Sequence, residues 1–244
     1  MLPNKLVWNY EDCTDTYLAN FGDKIMHILP YLASHLTMFG DCFFTIEDMI
    51  TSSGLTPKSG AGKINSVFKD ILVDLQWERI IVTDTDISSA SITSFICCKF
   101  TMPIMKASKG KNTQFFPVAY SSYSAIMGYK GDLSKILLLK TFFYINARLS
   151  RREYQPYEEY VGGRANTFYD SYSAICKDLT MAEETWNLYI NELKSLDLIY
   201  FDNVGLVRRA GNSQTANNVY CIDKAELVMA LTQSEFFYKT NGIL

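Results

Sequence analysis

Between residues 174 and 201 the hydrophobic period of the chain changes abruptly. Ala174 to Leu179 reads as a short helix, and Thr180-Met181 as a tight turn. Trp186, Tyr189, Ile190 and Leu193 then recur at helical spacing. Leu198-Ile199-Tyr200-Phe201 is a contiguous apolar run that no longer fits that spacing and reads as the start of a strand. The strand pattern runs from Leu198 to Arg209, turns through 211–218 and returns as Val219-Tyr220-Cys221-Ile222. A short helix, a turn, a longer helix and a strand hairpin leave few ways to close a core, because the longer helix must stand against the shorter one and the hairpin must cover the gap.

The same plan occurs earlier in the chain. Thr45 is placed to cap a helix over Ile46–Ser52, which Gly54 ends in a left-handed cap. A second helix follows from Lys63 to Gln76, with Ile64, Val67, Phe68, Ile71, Leu72 and Leu75 as its apolar face. Ile80-Ile81-Val82 starts a strand, Asp84-Thr85-Asp86 turns, and Ser91 to Phe100 returns. At a constant offset of 118, Phe68 falls on Trp186, Ile71 on Tyr189, Leu72 on Ile190, Leu75 on Leu193, and Ile80-Ile81 on Leu198-Ile199. The likeness is one of pattern, and it predicts a tandem repeat. Helix, turn, helix and strand hairpin are the core of a winged helix-turn-helix. The expected fold class is α+β, mainly helical, with two winged helix-turn-helix domains in tandem: 1–102, a basic connecting segment 103–131, and 132–244. Flanking patterns predict an irregular aromatic arm over 1–18 and a helix over 18–38 kinked at Pro30. Further helices are predicted over 121–127, from Asp132 or Ser134 to Ser150, over 167–179, and over 224–238 after a cap at Asp223.

Charge is uneven along the chain. Residues 1–102 carry 7 Lys/Arg and 12 Asp/Glu, residues 103–164 carry 10 and 4, and residues 165–244 carry 6 and 10. A basic middle between acidic flanks predicts local, not global, contact with a polyanion. No apolar run is long enough to span a membrane, and the first 15 residues lack the basic start and apolar stretch of a secretory signal. The six cysteines form no C-x-x-C pair, and there are only two histidines. No metal, no cofactor and a cytoplasmic setting with reduced thiols are expected. Cys97 and Cys98, adjacent in a strand pattern, should point to opposite faces.

Pro57-Lys58-Ser59-Gly60-Ala61-Gly62-Lys63-Ile64 has the look of a phosphate loop, but Pro57 and Ile64 stand where that motif needs Gly and Ser/Thr, and a helix precedes it in place of a strand. Nucleotide hydrolysis is excluded on these grounds. Backbone amides with Lys58 and Lys63 could meet DNA phosphates there; a solvated turn accounts for the stretch equally well. No Ser-His-Asp, Cys-His or paired-carboxylate set occurs, so no enzyme is expected. In a winged helix the first half of the second helix enters the major groove. Lys63, Asn65, Ser66 and Lys69 are the expected base readers. The expected phosphate contacts are Lys58, Lys106, Lys109, Lys111, Arg148, Arg151, Arg152, Arg164, and Arg208 and Arg209 of the second wing, which also carries Asn212 and Gln214. The second copy has Glu183, Glu184 and Asn187 in place of base readers. Carboxylates repel phosphates by about 1 kcal/mol per pair at ~4 Å in bulk water. Those three residues therefore mark a face for a protein partner.

Phe44-Thr45-Ile46-Glu47-Asp48-Met49-Ile50, then Asn65 to Val82, resembles the winged-helix region of replication initiators and regulators carried by plasmids and phages of low-GC Gram-positive bacteria. Ile175 to Arg209 is similar to the general winged-helix pattern. The resemblance implies a double-stranded DNA-binding protein of a mobile element, a homodimer, acting in replication initiation or transcription regulation. A winged-helix adaptor or phage-encoded inhibitor that binds protein and little DNA is the alternative.

Overall fold

Short polar side chains set where several helices begin. Thr16, Thr45, Ser171 and Asp223 each accept a hydrogen bond from a backbone N–H two or three residues on, at 3.0, 3.1, 3.3 and 2.8 Å. Each satisfies a donor that the helix cannot satisfy internally. The structure, a computed structural model of the chain, describes residues 1–8, 15–101, 115–149, 166–209, 212–241 and 243. The molecule is an α+β protein of helices and small antiparallel sheets. It divides into two compact units, Met1–Lys140 and Thr141–Leu244.

In the first unit the order is β1 (Leu2–Pro3), α1 (Tyr17–Phe21), α2 (Ile25–Ser34), β2 (Asp41–Phe44), α3 (Ile46–Ser52), α4 (Ile64–Trp77), β3 (Ile81–Val82), β4 (Ile96–Phe100), β5 (Phe115–Phe116) and α5 (Tyr120–Met127). The unit boundary falls inside α6 (Lys135–Arg148). The pattern over 18–38 thus yields two helices separated at 22–24, and Pro30 stays within the second. Residues 115–127, assigned by charge to a connecting segment, belong to the first unit, where β5 pairs with β1. The helix over Ile46–Ser52 has the predicted bounds, and Gly54 after it takes φ 83°, a conformation only glycine enters freely.

β2, β4 and β3 form one antiparallel sheet in that order. Cys42 lies opposite Cys98, Phe44 opposite Ile96, and Ile81 opposite Phe100; all six are buried. The alternate residues Phe43, Cys97, Lys99 and Val82 face out, so the adjacent cysteines do point to opposite faces. The return strand begins at Ile96, not Ser91. Ser91 and Thr93 bond each other through their hydroxyls, Ser94 N–H donates to Ser91 O, and Ile92 O is taken by Glu47 N–H. Such local bonds compete with a strand ladder. The core beneath is Ile25, Ile28, Leu29 and Leu32 of α2, Met49 and Ile50 of α3, and Phe68, Ile71, Leu72 and Leu75 of α4.

His27 lies in that core with no exposed surface. Its Nε2 is 2.9 Å from Met49 O and 3.0 Å from Ser52 Oγ, while Nδ1 has no partner. The ring is therefore neutral with the proton on Nε2, and burial pushes its pKa down to about 4.

The second unit continues with α7 (Tyr172–Leu179), α8 (Glu183–Ser195), β6 (Tyr200–Asp202), β7 (Leu206–Arg209), β8 (Asn212–Thr215), β9 (Val219–Cys221) and α9 (Lys224–Thr240). The helix predicted from Thr167 begins only at Tyr172. Phe168 and Tyr220 exchange backbone hydrogen bonds at 3.0 and 2.9 Å, so this stretch is extended against β9. The single strand predicted over Leu198–Arg209 is two. β6 pairs with β9, the chain bends at Gly205 (φ 87°), and β7 and β8 form a separate hairpin. Trp186 is fully buried, with Tyr144 and Tyr220 edge-on to it at 6.2 and 5.9 Å between ring centroids. The Tyr144 hydroxyl donates to Asp178 at 2.7 Å.

The 118-residue offset extends to the backbone. Arg79 and Asp197 both adopt the left-handed conformation, at φ 57° and 55°. Around them Ile80 N–H donates to Leu75 O at 2.9 Å and Leu198 N–H to Leu193 O at 3.0 Å. Arg79 N–H reaches Gln76 O and Asp197 N–H reaches Lys194 O, at 3.0 and 3.1 Å. Both helices thus end in the same Schellman motif and feed straight into a strand. Among the described residues no helix is long and apolar enough to cross a membrane, and no three metal-binding side chains cluster.

Two outcomes follow. A non-glycine residue in the left-handed region costs about 1–2 kcal/mol, and glycine loses about 0.5–1 kcal/mol in unfolded-chain entropy. Arg79→Gly and Asp197→Gly should each stabilise by roughly 0.5–1 kcal/mol in urea unfolding; destabilisation would count against the two caps. His27 has a folded pKa below its unfolded value, so its stabilising contribution is complete above about pH 6.5 and declines as pH falls toward 4. Between pH 7 and pH 5 this one group should remove about 2 kcal/mol, and His27→Gln should flatten that segment of the stability profile. An unchanged profile would mean that the ring is protonated when folded.

Candidate nucleic-acid interface

The turn between α3 and α4 is held by side chains from the first turn of α4. Asn65 Oδ1 accepts from Lys58 N–H at 2.8 Å, Asn65 N–H donates to Lys58 O at 3.2 Å, and Asn65 Nδ2 reaches Ser59 Oγ at 3.4 Å. Ser66 Oγ lies 2.9 Å from Lys63 O and 3.2 Å from Gly60 O. Lys69 Nζ donates to the carbonyls of Ser88 and Ala90 in the loop between β3 and β4. That loop is tightened by Asp86, whose carboxylate accepts from Ser88 N–H, Ser88 Oγ and Ser89 Oγ at 3.1, 2.6 and 2.7 Å. The Ser88 and Ser89 bonds hold the Asp86 pKa below the usual carboxylate range. An open cleft of about 480 Å³ separates turn from loop, floored by Ser66, Lys69 and Asp70.

Two of the four expected base readers are corrected by this geometry. Asn65 is 8% exposed and spends its amide on the turn. Lys69 spends its ammonium on the loop carbonyls. Lys63, exposed at the N-cap of α4, and Ser66 remain on the outer face, with Lys58 exposed in the turn. Neither lysine makes an ion pair among the described residues. Asp70 and Asp74 continue the same outer face. Their spacing from Ser66, i+4 and i+8, is legible in the sequence, whereas the polar residues expected to face DNA stop at Lys69.

Arg148 is likewise corrected as a phosphate contact. Its guanidinium is paired with Asp170 and lies over the Phe168 ring at 5.3 Å. Arg208 is exposed on β7 opposite Ser213, and Asn212 and Gln214 on β8 are exposed too. Glu183 and Glu184 are exposed in the first turn of α8, where the positive helix end favours acids, and Asn187 is half-buried one turn on. Lys106, Lys109, Lys111, Arg151, Arg152, Arg164 and the side chain of Arg209 lie outside the described residues.

Comparison with protein-family models, with characterised proteins and with solved structures finds no match. The chemistry of the site thus rests on its own groups. In the first unit they are two exposed ammonium groups beside the amide end of α4 and a hydroxyl-rich loop; the second unit, taken by itself, offers a polar hairpin carrying Arg208.

Asn65→Ala strands the Lys58 N–H and should cost about 1–3 kcal/mol. Lys69→Met should cost less, about 1 kcal/mol, and speed amide hydrogen exchange across Ser88–Ser91. If exchange in that loop is unaltered, Lys69 does not hold it.

Proposed function

We propose that this chain is a double-stranded DNA-binding protein of a mobile element, built from two winged helix-turn-helix units and acting in replication initiation or transcription regulation. The observation that carries the reading is the duplicated frame. In the first unit α2, β2, α3, α4, β3 and β4 follow in the order of a winged helix, with β4 between β2 and β3. In the second, α6, the Phe168 bridge, α7, α8, β6 and β9 repeat that order, with the β7–β8 hairpin as the wing. In this reading Lys58 and Lys63 hold phosphates beside the first turn of α4, Ser66 reaches a base edge, and Arg208 contacts a phosphate from the second wing. Asp70 and Asp74 keep the rest of α4 off the backbone. No catalytic step and no cofactor are assigned. A homodimer would present the same contacts to two half-sites.

A protein-interaction module is the second reading. Glu183 and Glu184 favour it, since they place two carboxylates where a second recognition helix would meet phosphates.

Duplex binding titrated against salt separates the two. Three phosphate contacts by Lys58, Lys63 and Arg208 predict a slope of log K against log salt of about −2.7, steeper if further basic residues join. Lys58→Glu/Lys63→Glu should weaken binding at least about tenfold at low salt, while Glu183→Gln leaves it unchanged. No duplex binding at about 50 mM salt, or indifference to the lysine changes, would leave the protein-interaction reading.

A further inference from the structure

In the first unit a cleft of about 420 Å³ opens between α2, α3 and α5. Tyr31 and His35 line it from α2, Asp48 and Thr51 from α3, and Tyr120 and Tyr123 from α5. The spacing of Tyr120 and Tyr123 puts both rings on one face of their helix. Tyr120 is 73% exposed. On the α2 wall the His35 ring stacks on Tyr31 with centroids 4.0 Å apart, and His35 Nδ1 is 2.8 Å from Tyr31 O.

Among the described residues of this lining Asp48 supplies the only formal negative charge. It is exposed, and no described lysine or arginine pairs with it. Its charge is felt within the cleft: burial, and then Asp48, push the Tyr31 hydroxyl up to about 12. The ammonium of Lys135 is tied instead to the Met127 carbonyl at 2.6 Å. An acid in the first turn of α3 complements that helix end, and a surface tyrosine needs no explanation by itself. Neither accounts for an unpaired carboxylate and several aromatic rings lining one open cleft.

Aromatic faces attract cations, and a carboxylate beside them selects for positive charge and against phosphate. Between the two common cationic side chains the lining favours arginine. A guanidinium is planar, weakly hydrated, able to stack on a tyrosine ring and to fork onto both oxygens of a carboxylate, whereas an ammonium is a compact, strongly hydrated point charge. We propose that this cleft binds the guanidinium of an arginine side chain presented by a partner protein, with Asp48 accepting its N–H groups and Tyr120 and Tyr123 stacking on its plane. The site uses none of the lysines assigned to DNA, so it stands whether or not the chain binds a duplex.

The test is a calorimetric and amide chemical-shift titration of the full chain. The probe is N-acetyl-arginine methylamide, with the neutral citrulline analogue as its isostere. Saturable binding is expected, at least about fivefold tighter for arginine than for citrulline, with shifts on α2, α3 and α5. Asp48→Asn and Tyr120→Ala should each weaken it by about fivefold; Tyr120 is exposed, so its loss leaves the fold in place. Equal affinity for citrulline, unaltered affinity in Asp48→Asn, or no saturation by about 50 mM probe would overturn the proposal. Tighter binding of guanosine monophosphate at the same residues would overturn it too, by showing a nucleotide site.

Discussion

Both units depend on one reversal of direction. At Arg79 and at Asp197 a helix stops, a single left-handed residue turns the chain, and a strand begins at once. The reversal is held by a pair of backbone bonds, from Ile80 to Leu75 and Arg79 to Gln76 in one unit and from Leu198 to Leu193 and Asp197 to Lys194 in the other. Because the strand starts within a few residues of the helix end, the large residue about three turns before the reversal, Phe68 or Trp186, is buried in the same core as that strand. Full burial of such a ring contributes about 1.5–3 kcal/mol, enough to offset the strain of one left-handed residue, about 1–2 kcal/mol. The turns before α4 and α8 are left on the surface.

That division decides which side chains are free to meet a partner. Cations that lie close to the backbone are consumed by the fold. Lys69 ties down a loop, Arg148 pairs with Asp170, and buried Lys140 pairs with Asp23 at 2.8 Å. At the N-terminal end of α4 the cations left at the surface among the described residues are Lys58 and Lys63, and Asp70 and Asp74 limit their reach along the helix. A partner of such a face must approach end-on, at the first turn of α4, beside which both lysines are exposed. On the α2–α3–α5 side the charge balance reverses, with Asp48 set among aromatic rings.

Much of the frame was legible because it is written in period and in caps. Phe68, Ile71, Leu72 and Leu75 gave α4, and Trp186, Tyr189, Ile190 and Leu193 gave α8; all eight are buried. Thr45 and Asp223 fixed helix starts to the residue. Elements fixed by distant partners were not legible. Phe168 is extended because Tyr220, over fifty residues later, takes its backbone groups. The candidate site was less legible than the frame. A polar residue on a helix reads as outward from sequence, yet Asn65 faces a turn whose stray N–H needs its amide, and the carbonyls that hold Lys69 lie 19 and 21 residues on. Cleft residues from three helices, such as Asp48 and Tyr120, share no local signal at all.

Amide chemical-shift mapping with a DNA duplex at about 50 mM salt addresses the central claim most directly. The largest shifts should fall on Lys58–Ser66 and on Arg208 with Asn212–Gln214. Shifts centred on Glu183–Asn187, or none anywhere on the chain, would contradict it.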